Sequence, residues 1–96
     1  MIIYISGPIT GVENFAQAFG DKALELRRQG HTVINPCDAF GGEDGLPYET
    51  YMRFHIHTLL TVDAIHMLPG WKSSRGARFE VHMAEMLKLG IGGATE

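Results

Sequence analysis

This chain of 96 residues contains little cysteine, no excess of basic residues and no long hydrophobic run. A single cysteine, Cys37, excludes a disulfide framework or a cysteine-based metal site within one chain. The net charge of -3 gives no support to non-specific binding of polymeric nucleic acid, which needs a basic stripe. No apolar run approaches the length of a membrane span, and Met1 leads straight into IIYIS without the basic and long apolar regions of a signal peptide. We therefore expect a cytoplasmic protein without membrane or nucleic-acid-polymer partners.

Length and composition indicate a single domain over residues 1–96. The chain is 45% hydrophobic and 20% charged, which is ordinary for a soluble globular fold. A domain of this size buries only a modest fraction of its surface. We therefore expect a homodimer or a higher homo-oligomer.

Short apolar runs rich in β-branched residues alternate with stretches of helical periodicity. The pattern predicts strands over 1–6, 31–35 and 62–68, and helices over 13–29, 48–60 and 74–89. Strand–helix–strand units of this size imply right-handed crossovers and a parallel sheet. The tail GIGGATE, residues 90–96, is either a short fourth strand around Ile91 or loose. The fold class is therefore α/β, with a parallel sheet of about four strands.

Each predicted helix carries an apolar stripe that we expect to face the core. The stripes are Phe15, Phe19, Ala23 and Leu26; then Tyr51, Phe54 or His55, Thr58 and Val62; then Phe79, Met83, Met86 and Leu87.

The stretch from 62 to 90 predicts a strand, a small-residue turn and a helix that begins at Ser74, an arrangement that binds anions at a helix N-terminus. Gly76 leaves room for close approach, and Glu80 in the second turn would face a ligand held by its anionic group. The turn exposes Trp71, which either stacks on a base or sugar or packs at an interface. Asp63, at the start of the strand, is expected to accept backbone N–H groups.

Two loops offer further binding elements. The loop GPITG, residues 7–11, follows the first strand, where open α/β sheets bind ligands, and its glycines permit close approach of the backbone. The alternative is a plain strand-to-helix turn. The loop over 36–47 is either a lid or specificity loop or a solvated connection. His55 and His57 point to different faces of a helix, so we expect no metal site, and no residue pattern calls for a cofactor.

Three segments together resemble the nucleoside 2-deoxyribosyltransferase-like superfamily. They are YISGPITG at 4–11, INP at 34–36 and VDAIHMLPGWKSSRGARFEVHMAEMLKLG at 62–90, and in order they are fairly specific. Within the superfamily the chain is similar to small uncharacterised bacterial and phage proteins and to 2′-deoxynucleoside 5′-phosphate N-hydrolases. The resemblance implies a flavodoxin- or Rossmann-like three-layer sandwich and an N-glycosidic site.

The resemblance also implies roles for individual residues. Glu80 matches a glutamate that attacks C1′ of a 2-deoxyribosyl group, and Tyr4 matches a tyrosine that lines the sugar site. Substrate and 5′-phosphate contacts are implied for Ser6, Gly7, Ile9, Thr10, Gly11, Ser74 and Gly76, with Trp71 beside them. His55 stands where many relatives carry an aspartate, and a histidine there is a candidate acid toward the leaving base. A C-terminal segment found in the transferases has no counterpart, which favours hydrolysis or binding over transfer.

Three functions compete at this level. The first is an N-glycosidase acting on a (deoxy)nucleoside 5′-monophosphate or related nucleotide through Glu80. The second is a non-catalytic nucleotide-binding module that uses the same pocket, a reading favoured by His55. The third is a small α/β interaction protein in which Glu80 pairs with Arg75 or Arg78.

Overall fold

Four parallel strands form one sheet within residues 1–9, 11–38 and 46–96, the ranges that the computed structural model describes. The strands are β1 (Ile2–Ser6), β2 (Thr32–Ile34), β3 (Ala64–Met67) and β4 (Gly90–Gly93). The α-helices in these ranges are α1 (Phe15–Arg28), α2 (Tyr48–Leu59) and α3 (Arg75–Met86), and short 3₁₀ turns cover Pro36–Asp38 and Trp71–Ser73. The strand order β2-β1-β3-β4 confirms the α/β three-layer fold with a small parallel sheet.

The two faces of the sheet carry different helices because successive side chains of a strand point to opposite sides. Ile3 and Ile5 pack with α1, whose buried residues are Phe19, Ala23 and Leu26 as expected. Tyr4 faces the opposite side, where residues of α2 and α3 form the second core cluster. In α2 the buried residues are His55 and Leu59, so His55 rather than the exposed Phe54 faces the core.

The tail adds strand β4, which settles the alternative that the sequence left open. Ala64 pairs with Gly90 and Met67 with Gly93, and the N–H of Ala94 donates to the carbonyl of Met67 at 2.8 Å. Gly93 has a φ of 89°, and a Cβ there would overlap the backbone of Met67. Glycine at this position is therefore required for the close pairing with β3.

The face of helix α3 that packs on the sheet is not the face that carries its large apolar residues. Its buried residues are Ala77, Glu80, Val81 and Ala84. The prediction that Phe79, Met86 and Leu87 form the core side is wrong, since all three are exposed. Of the predicted stripe, only the half-buried Met83 packs against the second core cluster. The small side chains let the helix lie close to the strands and bring the Glu80 carboxylate to polar partners on β1.

Two predicted local contacts are confirmed at the ends of elements. Asp63 Oδ2 accepts the N–H of Ile2 at 2.8 Å, which ties the start of β1 to the residue that precedes β3. Ser74 is the N-cap of α3, and its Oγ accepts the N–H of Ala77 at 3.2 Å. Among the described residues, no helix is both long and apolar enough to cross a bilayer.

Candidate functional site

The strand order reverses direction between β1 and β3. From β1 the chain passes through α1 to β2 on one side, and then returns to β3 on the other side. The crevice outside the carboxyl ends of two such strands is the usual ligand site of open α/β sheets. Ser6 and Met67, the last residues of β1 and β3, are register partners at this edge.

A buried carboxylate lies beneath this edge, held by two hydroxyl groups of β1. Tyr4 Oη donates to Glu80 Oε2 at 2.6 Å, and Ser6 Oγ donates to Glu80 Oε1 at 2.6 Å. Tyr4 and Ser6 are two residues apart on one strand, so both side chains point to the face that α3 covers. Glu80 is only 5% exposed, and each of its oxygens has a donor, which fixes the orientation of the carboxylate.

Burial controls the protonation of this cluster. Desolvation raises the pKa of Glu80 above its ordinary value, and the hydrogen bonds from Ser6 and Tyr4 oppose that rise. Burial, and then the charge of Glu80, also raise the pKa of Tyr4, so its hydroxyl stays protonated and remains a donor. The arrangement therefore keeps two neutral donors on a carboxyl group that is costly to ionise.

His55 lies beside this cluster on α2. Its ring centroid is 6.2 Å from that of Tyr4, with the planes tilted by 55°. Burial lowers the pKa of His55 below 6.5, so its imidazole is neutral at neutral pH. A neutral ring is a better proton acceptor than donor, which weighs against the predicted role as an acid. His57 is exposed, and the described residues contain no group of three or more His, Cys, Asp or Glu side chains that could hold a metal ion.

The glycines predicted to approach a phosphate have packing roles in this structure. A Cβ on Gly7 would lie 2.8 Å from Leu68 Cβ, so glycine allows the chain to leave β1 against the end of β3. A Cβ on Gly76 would lie 3.2 Å from both Tyr48 Oη and Met52 Sδ, so glycine lets α3 approach α2. These contacts account for both glycines whether or not a ligand binds.

The remaining predicted contacts are distributed around the same edge. Ile9 is exposed, and Gly11 is exposed with a φ of 76° and open space where a Cβ would be. Ser74 uses its hydroxyl as the helix cap described above. Thr10 lies outside the described residues, as do residues 39–45 of the loop predicted as a lid or specificity loop.

Trp71 is half-buried rather than exposed, so that part of the prediction is wrong. It packs against the second core cluster, and its Nε1 donates to the carbonyl of Ala94 at 2.9 Å. The tail that continues from β4 supplies this acceptor, which the sequence pattern around Trp71 gave no reason to expect. A stacking role for Trp71 stays a prediction.

The pairing of Glu80 with arginine is not observed among the described residues. Its hydrogen bonds go to Tyr4 and Ser6, while the Arg75 guanidinium lies 5.0 Å from the ring centroid of Tyr48. Arg78 is exposed on the outer side of α3. Burial raises the pKa of Cys37 to about 11, so its thiol is not activated as a nucleophile.

One contact of the site went unrecognised in the sequence. The resemblance implies a substrate contact for Ser6, whereas its Oγ donates to the carboxylate of a residue 74 positions away. The alternation of β1 carried the signal, because Tyr4 and Ser6 must share a face. What the sequence lacked was the rotation of α3 that turns Glu80 toward that face.

The fold and this cluster define a small α/β protein with a buried, doubly hydrogen-bonded carboxylate at the reversal point of a parallel sheet. The chain belongs to the family described as Domain of unknown function (DUF4406), whose model matches residues 1–92. No curated protein matches the chain.

Proposed function

We propose that this protein is an N-glycosidase that cleaves the base–sugar bond of a (deoxy)nucleoside 5′-monophosphate or a related nucleotide, with Glu80 as the nucleophile. The observation that carries the proposal is the Glu80 carboxylate held by Tyr4 and Ser6 beneath the carboxyl edge of β1 and β3. The resemblance of three segments to the nucleoside 2-deoxyribosyltransferase-like superfamily gives the reaction class and the substrate class.

The proposed chemistry is a double displacement at the anomeric carbon. An oxygen of Glu80 forms a bond to C1′ while the N-glycosidic bond breaks. The electron pair of the broken bond leaves with the base, which takes up a proton from solvent. Water then attacks C1′ of the glycosyl ester, so that the carboxylate is released and the sugar gains a hydroxyl. A carboxylate also stabilises the oxocarbenium-like transition states on both sides of the ester.

Tyr4 and Ser6 act in this proposal as positioning groups. Their two donors fix the plane of the carboxylate, so less freedom is lost when Glu80 approaches C1′. They also stabilise the ionised form, which offsets part of the desolvation that raises the pKa of Glu80. We assign to the neutral His55 the acceptance of a proton from the attacking water, because its lowered pKa suits a base.

A second candidate function is nucleotide binding without turnover. It is favoured by the 5% exposure of Glu80 and by the donors already present on both of its oxygens. In that case Glu80 stabilises the site as part of a buried polar network, and the same edge of the sheet holds the nucleotide.

Base release distinguishes the two candidates. The protein is incubated with a panel of ribo- and deoxyribonucleoside monophosphates and the matching nucleosides, and free base is measured by chromatography. Glu80→Gln keeps the side-chain volume and removes the nucleophile, and Glu85→Gln is the matched control on the exposed side of the same helix. We expect base from the wild type and from Glu85→Gln, and a loss of at least about 100-fold with Glu80→Gln.

Absence of free base with every substrate would refute the glycosidase. If a monophosphate then still raised the melting temperature, the binding function would stand, because a ligand that binds only the folded state stabilises it. If base were released equally by Glu80→Gln, the assignment of the nucleophile would be wrong.

A further inference from the structure

Helix α3 exposes large apolar side chains on the face that points away from the sheet. Phe79 is 50% exposed and Met86 is 69% exposed, because the helix turns Ala77 and Ala84 inward. His82, Arg78 and Glu85 are exposed on the same outer side. Single exposed apolar residues are ordinary, but large ones aligned on a helix are typical of a surface that binds a partner.

The exposed residues form two pairs with the same spacing, and each pair lies along a line parallel to the helix axis. Phe79 and Met86 are seven residues apart, and so are Arg78 and Glu85. At 3.6 residues per turn, seven residues return to nearly the same side of the helix, about 10.5 Å further along its axis. The outer face of α3 therefore carries an apolar line beside a charged line, with His82 between their midpoints.

This surface is complementary to itself when two helices run antiparallel. A two-fold axis beside His82 exchanges the two ends of each line, so Phe79 meets Met86 of the second copy and Arg78 meets Glu85 of the second copy. A parallel two-fold arrangement would instead bring the charged line of one copy against the apolar line of the other. The same axis thus satisfies the apolar line and the charged line together.

Arg78 and Glu85 form no ion pair within the part of the chain that the structure describes. Arg78 and Glu85 are about two helical turns apart, too far to pair with each other. Neither makes an ion pair with another described residue, whereas Lys22 and Glu25 on α1 do so at 2.6 Å. A second copy of the chain supplies both missing partners at once.

We propose that the outer face of α3, made of Arg78, Phe79, His82, Glu85 and Met86, docks antiparallel on the same face of a second copy to form a two-fold homodimer. Because a helix of this length is about 18 Å long, the contact is smaller than the standard interface of about 800 Å² per partner. We therefore expect a dissociation constant of roughly 1–50 µM. The proposal does not depend on the function proposed above.

Charge exchange between copies tests the pairing directly. Arg78→Glu places two glutamates against each other in its homodimer, and Glu85→Arg places two arginines against each other. In the mixed dimer, the Arg78→Glu side chain of one copy faces the Glu85→Arg side chain of the other, and the second pair is the native Arg78–Glu85 contact. Arg78 and Glu85 are both exposed, so neither substitution removes a core contact. Sedimentation velocity at protein concentrations from about 0.5 to 200 µM brackets the expected dissociation constant.

We expect the wild type to be dimeric at the upper concentrations, and each single variant to show a dissociation constant raised at least about tenfold, with a correspondingly larger monomer fraction at every concentration. The mixture and the double variant R78E/E85R should recover the dimer. Phe79→Asp should also dissociate it, while Leu24→Asp on α1, at a residue that is 49% exposed, should not. A monomeric wild type, or a dimer that persists in Phe79→Asp and both charge variants, would overturn the proposal.

Discussion

Replacement of Tyr4 by phenylalanine isolates one hydrogen bond of the buried carboxylate. Tyr4 is 1% exposed and Phe keeps its ring, so the change removes the hydroxyl without opening a large cavity. Glu80 Oε2 then loses the donor at 2.6 Å and keeps only the Ser6 bond on its other oxygen. Glu80 is only 5% exposed, so little water can replace the lost bond.

The cost depends on the charge of Glu80. A hydrogen bond to an ionised group contributes about 2 kcal/mol, and a bond between neutral groups about 1 kcal/mol. For a domain of about 100 residues, these values correspond to losses of roughly 8–16 °C and 4–8 °C in melting temperature. Because burial raises the pKa of Glu80, its carboxyl is protonated at about pH 4, where the smaller loss is expected. The larger loss is expected above the raised pKa, so a larger loss at about pH 8 than at about pH 4 would show that Glu80 ionises between them.

Thermal unfolding followed by circular dichroism at both pH values measures the difference. Tyr48→Phe is the control, because Tyr48 is 45% exposed on α2 and its loss should change the melting temperature little at either pH. A loss for Tyr4→Phe that is equal at the two pH values would show that Glu80 does not ionise in the folded protein. No loss at about pH 8 would refute the hydrogen bond itself.

Three further substitutions test other parts of the structure. Because burial raises the pKa of Glu80, its carboxyl contributes stability that is fully present below about pH 4.5 and is lost as the pH rises through the raised pKa of the folded state. The melting temperature of Glu80→Gln relative to wild type should therefore increase from about pH 4 to about pH 8. A constant difference in melting temperature would contradict the raised pKa. Gly93→Ala should lower the free energy of unfolding in urea by at least about 2 kcal/mol, because the added Cβ would overlap Met67. Gly92→Ala, whose Cβ would lie 3.9 Å from its nearest neighbour, should lower it by less than about 1 kcal/mol. Equal losses would show that β4 is not paired as described. Ser74→Ala should cost about 1 kcal/mol through loss of the α3 cap and Ser73→Ala clearly less, and the reverse order would place the helix start elsewhere.

Local patterns were sufficient to predict the order and approximate bounds of most elements. The apolar run at the N-terminus, the stripe Phe19, Ala23 and Leu26 and the Ser74 cap each depend on residues close together in sequence. Such signals persist in any fold that buries one side of each element. The parallel sheet followed from them, because alternating strands and helices of this length permit few other connections.

The sequence also identified Glu80 and Tyr4 as candidates, through the resemblance of their segments to a known superfamily. It could not show that Ser6 holds the second carboxylate oxygen, since that contact joins residues 74 positions apart. The sequence also left open whether the tail is a fourth strand or loose. Strand β4 consists of three glycines and Ile91, and it is a strand only because it pairs with β3.

Helix α3 shows most clearly where local reasoning ends. Its sequence offers a stripe of large residues through Phe79 and Met86 and a second stripe of smaller ones through Ala77 and Ala84, and periodicity alone favours the larger. In the tertiary structure the stripe of smaller residues faces the sheet. Close packing on the sheet needs small side chains, and a buried Glu80 needs the hydroxyl donors of β1. The sequence by itself thus determined the elements and the chemistry available to them. The packing of α3 on β1 decided which carboxylate was buried and which apolar residues remained exposed.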